Sequence, residues 1–243
     1  MTDQRAEVAD LPGWLQPLAA AAVDVRPEQL SHFLPPKSGG RESAVLMLFG
    51  AADTDSASGG AGPGDFERAD VLLIERAHDM RSHAGQVAFP GGAVDPADDG
   101  VVAAALREAA EETGLDPAGV AVFGTLPALF LPVSDFVVTT VLGWWRTPSP
   151  VRAVDPAEVA SVHPVRLGDL LDPGNRLQVR HPSGHVGAAF RVHGLLVWGF
   201  TAGLLDRMLR LAGWERPWDR DRVEDFPAPG PPVTSQVAGD MSR

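Results

Sequence analysis

The chain has 243 residues, enough for one sizeable core with irregular ends and short of two full domains. Apolar residues make up 44% of it, and cysteine is absent, which excludes disulfides and thiol chemistry and permits a reducing compartment. The formal net charge of -12 argues against a nucleic-acid backbone as partner, and almost all positive charge is arginine, since Lys37 is the one lysine. No apolar run reaches the roughly 18 residues a membrane helix needs. The opening M-T-D-Q-R-A-E-V-A-D lacks the basic-then-apolar pattern of a signal peptide. A soluble cytoplasmic protein with neither membrane nor nucleic-acid partner is therefore expected.

Residues 1–42 are rich in Pro, Ala and Gly and read as an arm and linker, with a short helix over Trp14–Val25 that Pro17 starts or weakens. Ser43–Phe49 is a continuous apolar run of strand length, consistent with burial on both faces. A Gly/Ser/Ala/Asp loop over 51–65 leads to a second strand, Asp70–Glu75, so the two form a hairpin with a long loop. Arg76, His78, Arg81 and His83 follow, just ahead of the glycine turn at Gly91 and Gly92.

From Val87 to Leu115 the chain reads as a strand, a tight glycine turn, a short acidic loop and a helix. Asp99 stands at the N-cap, and Gly114 where a helix closes in a left-handed residue. Val102, Leu106, Ala109, Ala110 and Thr113 make a mostly apolar stripe at helical spacing. Glu108, Glu111 and Glu112 fall at i, i+3 and i+4, which projects three carboxylates from one face. Like charges so placed repel by a few tenths of a kcal/mol per pair, roughly, and a hard divalent cation would offset that. Arg107, four residues before Glu111, is within reach to orient one of them. A solvated acidic face would show the same charge pattern; the adjoining glycine turn favours a compact acidic site.

Beyond the helix, Val120–Leu126 reads as a strand, and Leu131–Trp145 as a turn at Pro132–Asp135 followed by a long apolar strand. Asp155–Val159 reads as a short helical turn, in which Glu158 is a candidate outer carboxylate or simply a helix-start acid. Leu167–Leu171 is a further helical turn. Arg176–Arg180 and Ala188–Val192 are short strands around His181–Gly184, and Phe200–Ala212 is an amphipathic helix stopped by Gly213. Residues 43–213 thus form the expected domain, and 214–243, charged and then Pro-rich, a disordered tail.

The segment carrying the glutamates resembles the Nudix box, G-x5-E-x7-R-E-U-x-E-E-x-G-U with U apolar. Arg107, Glu108, Ala109, Glu111, Glu112, Gly114 and Leu115 match its second half without a gap. In its first half, Asp98 stands where five residues after Gly92 lead to glutamate, and eight residues rather than seven separate Asp98 from Arg107. Upstream, Leu72, Leu73, Arg76, Arg81, Gly85, Phe89, Pro90, Gly91 and Gly92 resemble the signature of the coenzyme A diphosphatase branch of that family, with Ile74 in place of threonine.

The resemblance implies an α/β fold, a Nudix-type α/β/α sandwich with a mixed sheet. It implies hydrolysis of a diphosphate bond in coenzyme A or its thioesters, to 3',5'-ADP and a 4'-phosphopantetheine product. Glu108, Glu111 and Glu112 would bind Mg2+ or Mn2+, with Arg107 orienting them. Arg76 and Arg81 would meet substrate phosphate, beside Gly85, Gly91 and Gly92. The alternatives are a diphosphatase for another dinucleotide, such as ADP-ribose or NADH, and a Nudix module that only binds a nucleotide. The expected partner is a small nucleoside diphosphate; monomer and homodimer both remain open.

Overall fold

The computed structural model describes residues 6–51, 65–78 and 84–226. The loop expected over 51–65, Arg81, His83 and the tail beyond Phe226 lie largely or wholly outside those residues.

In chain order the elements are α1 (Gln16–Asp24), α2 (Pro27–Leu30), β1 (Arg41–Ala51), β2 (Ala69–Arg76), β3 (Val87–Ala88), β4 (Gly91–Ala93) and α3 (Gly100–Thr113). There follow β5 (Val120–Thr125), β6 (Leu129–Leu131), β7 (Phe136–Trp145), β8 (Val159–Arg166) and α4 (Leu167–Leu171). The chain closes with β9 (Arg176–Arg180), β10 (Val186–Val192), β11 (Leu195–Val197), α5 (Gly199–Leu211) and β12 (Val223–Asp225).

The main sheet is mixed. β1 runs parallel to β7, from Arg41 opposite Phe136 to Phe49 opposite Trp144, while β5 and β6 lie antiparallel along the far side of β7. β1 and β2 pair only at their ends, Phe49 to Ala51 against Val71 to Ala69, and then splay apart. The short strands β3 and β4 fill that fork, one against β2 and the other against β1. β8 closes the outer edge of β2, where Pro164 is tolerated because an edge strand needs only half its hydrogen-bonding groups.

Both faces of β1 are buried, as its unbroken apolar run requires. Leu46 and Leu48 face α3, packing with Ala104, Ala105, Leu106 and Ala109. Met47 and Phe49 face the opposite core, built from α1, α4, α5 and a second sheet ordered β11-β10-β9-β12. Helices on both faces of a mixed sheet give the expected sandwich.

Three expectations need correction. The arm is part of the domain: Leu11, Leu15, Leu18, Ala19, Val25 and Leu30 are buried in the main core. Only Leu18, Ala19 and Leu30 of these lie within the two short Pro-containing helices, while Leu11, Leu15 and Val25 flank them, too few in either helix for a clear periodic pattern. The first part of the tail is structured as well, with Trp214 buried against Trp14, Phe49 and Phe66, and β12 pairing with β9. Finally, the single turn expected over Asp155–Val159, where the Glu158 and Val159 N–H both donate to the Asp155 carbonyl, opens directly into β8, an unexpected strand disguised by Pro164 and by the polar Ser161 and His163.

Candidate functional site

Helix α3 lies along β1 and β4, and the fork in the sheet brings the glycine turn to its last two turns. Gly91 approaches β1 so closely that a Cβ there would meet the Ala44 carbonyl oxygen at 2.3 Å. A Cβ at Gly92 would lie 2.5 Å from the Glu108 carboxylate. Glycine is thus required twice in succession, once to pass the strand and once to let a carboxylate settle on the backbone. The Ser43 hydroxyl, donating to the Gly92 carbonyl at 2.7 Å, and Leu46 N–H, donating to Pro90 at 2.8 Å, tie the turn to β1.

The three glutamates occupy different environments. Residues at i, i+3 and i+4 spread over about 100° of helix circumference, and the edge of the core runs between them. Glu112 is buried at 7% exposure, Glu108 is half-buried, and Glu111 points to solvent at 60%. Glu112 Oε2 accepts from the Gly91 N–H at 2.8 Å, whereas Oε1 has Arg76 Nη1 only at 4.0 Å. Burial, against a partial offset from the Gly91 bond and Arg76, pushes the Glu112 carboxyl up to about 7; Glu108 and Glu158 add repulsion. Burial also raises Glu108 above the ordinary carboxylate range.

Arg107 is the organiser. Its Nε and Nη2 each donate to Asp98 at 2.9 Å, Nη1 donates to Glu108 at 3.0 Å and Glu111 at 2.9 Å, and Nη2 also reaches the Ala93 carbonyl. Asp98 therefore takes the bidentate place on Arg107, and these bonds hold its carboxyl down at about 2. Asp99 occupies the N-cap position but makes no side-chain capping bond. At the other end Gly114, at φ 71°, caps the helix as expected.

Two further segments converge here. The loop after β7 is bonded to the end of α3, through Arg152 N–H to Thr113 and Val154 N–H to Glu112. That loop delivers Glu158, exposed but near enough for its charge to act on Glu112. From the sheet, Arg76 at the end of β2 points toward Glu112, and Gly85, at φ 64°, packs under the His78 ring. Arg81 is outside the described residues. The Gly91 amide that receives Glu112 left no trace in the residue pattern, because any residue but proline supplies an N–H.

The donor set suits a hard divalent cation. A buried carboxylate with one oxygen lacking a close partner, flanked by a second carboxylate of raised pKa, is an environment short of positive charge. Among the described residues no three acidic or imidazole side chains stand close enough to share an ion, and Glu108 and Glu111 are both bonded to the Arg107 guanidinium.

Residues 64–185 match the family model of the NUDIX domain. Over 151 residues the chain is 42% identical to a protein from Cronobacter sakazakii described as an uncharacterized Nudix hydrolase NudL, across 60% of this chain and 77% of that one. The NudL of Citrobacter koseri, described in the same words, is 42% identical over 154 residues, 62% of this chain and 78% of that one. The crystal structure of a Nudix hydrolase from M. Smegmatis, RenU, aligns with 78% of this chain and 99% of its own at 19% identity and a TM-score of 0.47. The matched span carries the glycine turn, all three glutamates and Arg107, and the chain accordingly belongs to the Nudix family of hydrolases acting on phosphoanhydride bonds.

Proposed function

We propose that the chain hydrolyses the diphosphate of coenzyme A or its thioesters, releasing 3',5'-ADP and a 4'-phosphopantetheine product. The observation that carries the chemistry is Glu112, buried against the Gly91 amide with Arg76 opposite and Glu108 beside it. The substrate assignment is supported by the run from Leu72 to Gly92, whose resemblance to the coenzyme A diphosphatase signature continues directly into the glutamate helix.

In this reading Glu108, Glu111 and Glu112 hold Mg2+ or Mn2+, which when bound supplies charge neutralisation at the phosphoryl oxygens and acidifies an attacking water. Arg107, anchored by Asp98, releases Glu111 to the site while keeping the helix face in place. Arg76 lies beside Glu112 and donates to a substrate phosphate, a role shared in this reading with Arg81. Glu158 is the candidate outer carboxylate, its charge already acting on Glu112. A chain without cysteine suits a reducing cytoplasmic setting.

Incubation of the full chain with coenzyme A and Mg2+, with products identified by mass, tests the assignment. The two products named above are expected, and removal of the metal by chelation should stop their release. Turnover of ADP-ribose or NADH with coenzyme A left intact would transfer the assignment to another dinucleotide. Binding without any turnover would leave a nucleotide-binding module.

A further inference from the structure

On the face of β2 opposite Arg76, three side chains are linked across the strand pair. Ser161 Oγ donates to Glu75 Oε2 at 2.8 Å and lies 2.7 Å from His163 Nε2. The chain of bonds is satisfied when the His163 Nε2–H donates to Ser161 and the hydroxyl passes its own proton to Glu75. The other oxygen of Glu75 has His78 Nε2 at 3.3 Å. Burial lowers the pKa of the His163 ring, which favours its uncharged form. None of these residues touches Glu112 or belongs to the motifs described above, except that Glu75 directly precedes Arg76.

Their position gives them a purpose. Glu75 pairs with Ser161, but the next residue, Arg76, pairs with Val159, leaving Ala160 as an extra residue in β8. One extra residue is a bulge, and a bulge reverses the alternation of the strand beyond it. Strict alternation would set Val159 on the side of Ser161 and Glu75; the bulge pairs it with Arg76 instead. Just past it, the Ala77 N–H donates to the Glu158 carbonyl at 2.9 Å. The bulge thus sets the approach of two groups, Arg76 and Glu158, whose charges both act on Glu112.

We propose that Ser161, Glu75 and His163 are positioning residues, a clasp that locks the β8 bulge and so fixes Arg76 and Glu158 relative to Glu112. The clasp sits on the first pair before the slip, where a side-chain bond best resists a change of register. This rests on the proposed role of Glu112 and its neighbours in diphosphate hydrolysis.

The test uses the full chain, Mg2+ and whichever diphosphate the wild type turns over fastest. Ser161→Ala should lower kcat/KM by about ten-fold or more, because displacement of well-placed groups by fractions of an ångström is costly in rate. Its melting temperature should stay within about 3 °C of wild type, as for loss of one half-buried bond. Ser161→Thr, which keeps the hydroxyl, should restore activity to within about two-fold, and Glu75→Gln, still an acceptor, should outperform Glu75→Ala. Full activity in Ser161→Ala, or failure of Ser161→Thr to rescue, would overturn the clasp. A crystal structure of Ser161→Ala gives a reading independent of turnover. The clasp predicts that Arg76 Nη1 leaves its place 4.0 Å from Glu112 Oε1, and an unmoved Arg76 rejects it. A wild type that hydrolyses no diphosphate would reject the proposed function instead, while this structural comparison still decides the clasp.

Discussion

Glu112 and Arg176 are both buried ionisable groups, one on each side of the main sheet, and their surroundings differ in kind. Arg176, at 1% exposure, is bonded to Asp206, has Glu215 at 3.5 Å, and lies between the rings of Phe190 and Trp218. Asp206 in turn is shared with Arg210 on α5. An opposite charge is bonded directly to it and the two rings flank the guanidinium, although Nε and Nη1 are buried without a hydrogen-bond partner among the described residues and burial lowers its pKa. Glu112 has one amide, a distant arginine and two repelling carboxylates. A buried charge bonded directly to an opposite charge joins elements together, as Arg176 does with Asp206; one with only a distant counter-charge, as at Glu112, is an affinity for something not yet bound.

Four measurements can break or sharpen that contrast. The largest effect is expected from Glu112→Gln, which should lower kcat by about a thousand-fold or more, as for loss of a group that holds transition-state charge. The folded state should survive, since the amide still fits beside Gly91; an active Glu112→Gln enzyme would remove Glu112 from the site. Arg176→Ala should act on the other side of the ledger, destabilising the fold by about 4 kcal/mol in denaturant titration by leaving Asp206 buried with half its partners. Any protein that remains folded should keep its turnover.

The third effect is a pH slope in the metal-free protein. The Glu112 carboxyl stands at about 7 when folded against a reference of 4.5, so it favours the folded state when protonated. That contribution is complete below about pH 4.5 and is lost as pH rises through about 7, by at most about 3 kcal/mol. Denaturant titrations between pH 5 and 8 should show the decline. Glu112→Gln should flatten it, and saturating Mg2+ should reverse it; a slope unchanged in Glu112→Gln would assign it elsewhere. The smallest effect is expected from Asp98→Asn, which weakens the hold on Arg107 and should lower activity about ten-fold, as for other outer-shell partners. Steady-state kinetics with Mg2+ varied would read it, and wild-type activity would make the Asp98 contact dispensable.

The sequence made the second half of the motif plain because spacing on a helix is regular: Arg107, Glu108, Glu111 and Glu112 could be assigned to adjoining positions from their numbers alone. Their unequal burial could not be read that way. It depends on where β1 and β4 press against the helix, and that in turn depends on a fork in the sheet that no local pattern encodes. Strands that are largely apolar, β1 and β7, were legible, whereas β8 was hidden because an edge strand carries polar residues and even a proline. The N-terminal helix over Trp14–Val25 was legible and is α1, but its docking was not, because α1 and α2 contribute as buried residues only Leu18, Ala19 and Leu30 to a core made almost entirely elsewhere. Asp98 was in view as an irregularity of spacing, but its partner became evident only when the loop was seen to fold back onto Arg107.

The glycine turn wedged in that fork has a consequence for what can vary. Gly91 touches the central strand, and its neighbours are pinned to Ser43 and Leu46, so the turn can be neither lengthened nor shifted without prising the sheet open. The stretch from Asp95 to Gly100 is different, being largely exposed and tethered to the helix chiefly through Asp98. An additional residue can be absorbed there, and the spacing of eight between Asp98 and Arg107 is one such case. Insertions and deletions should therefore be accepted on the helix side of the turn and rejected on the sheet side, making the turn a fixed datum from which the rest of the site is measured.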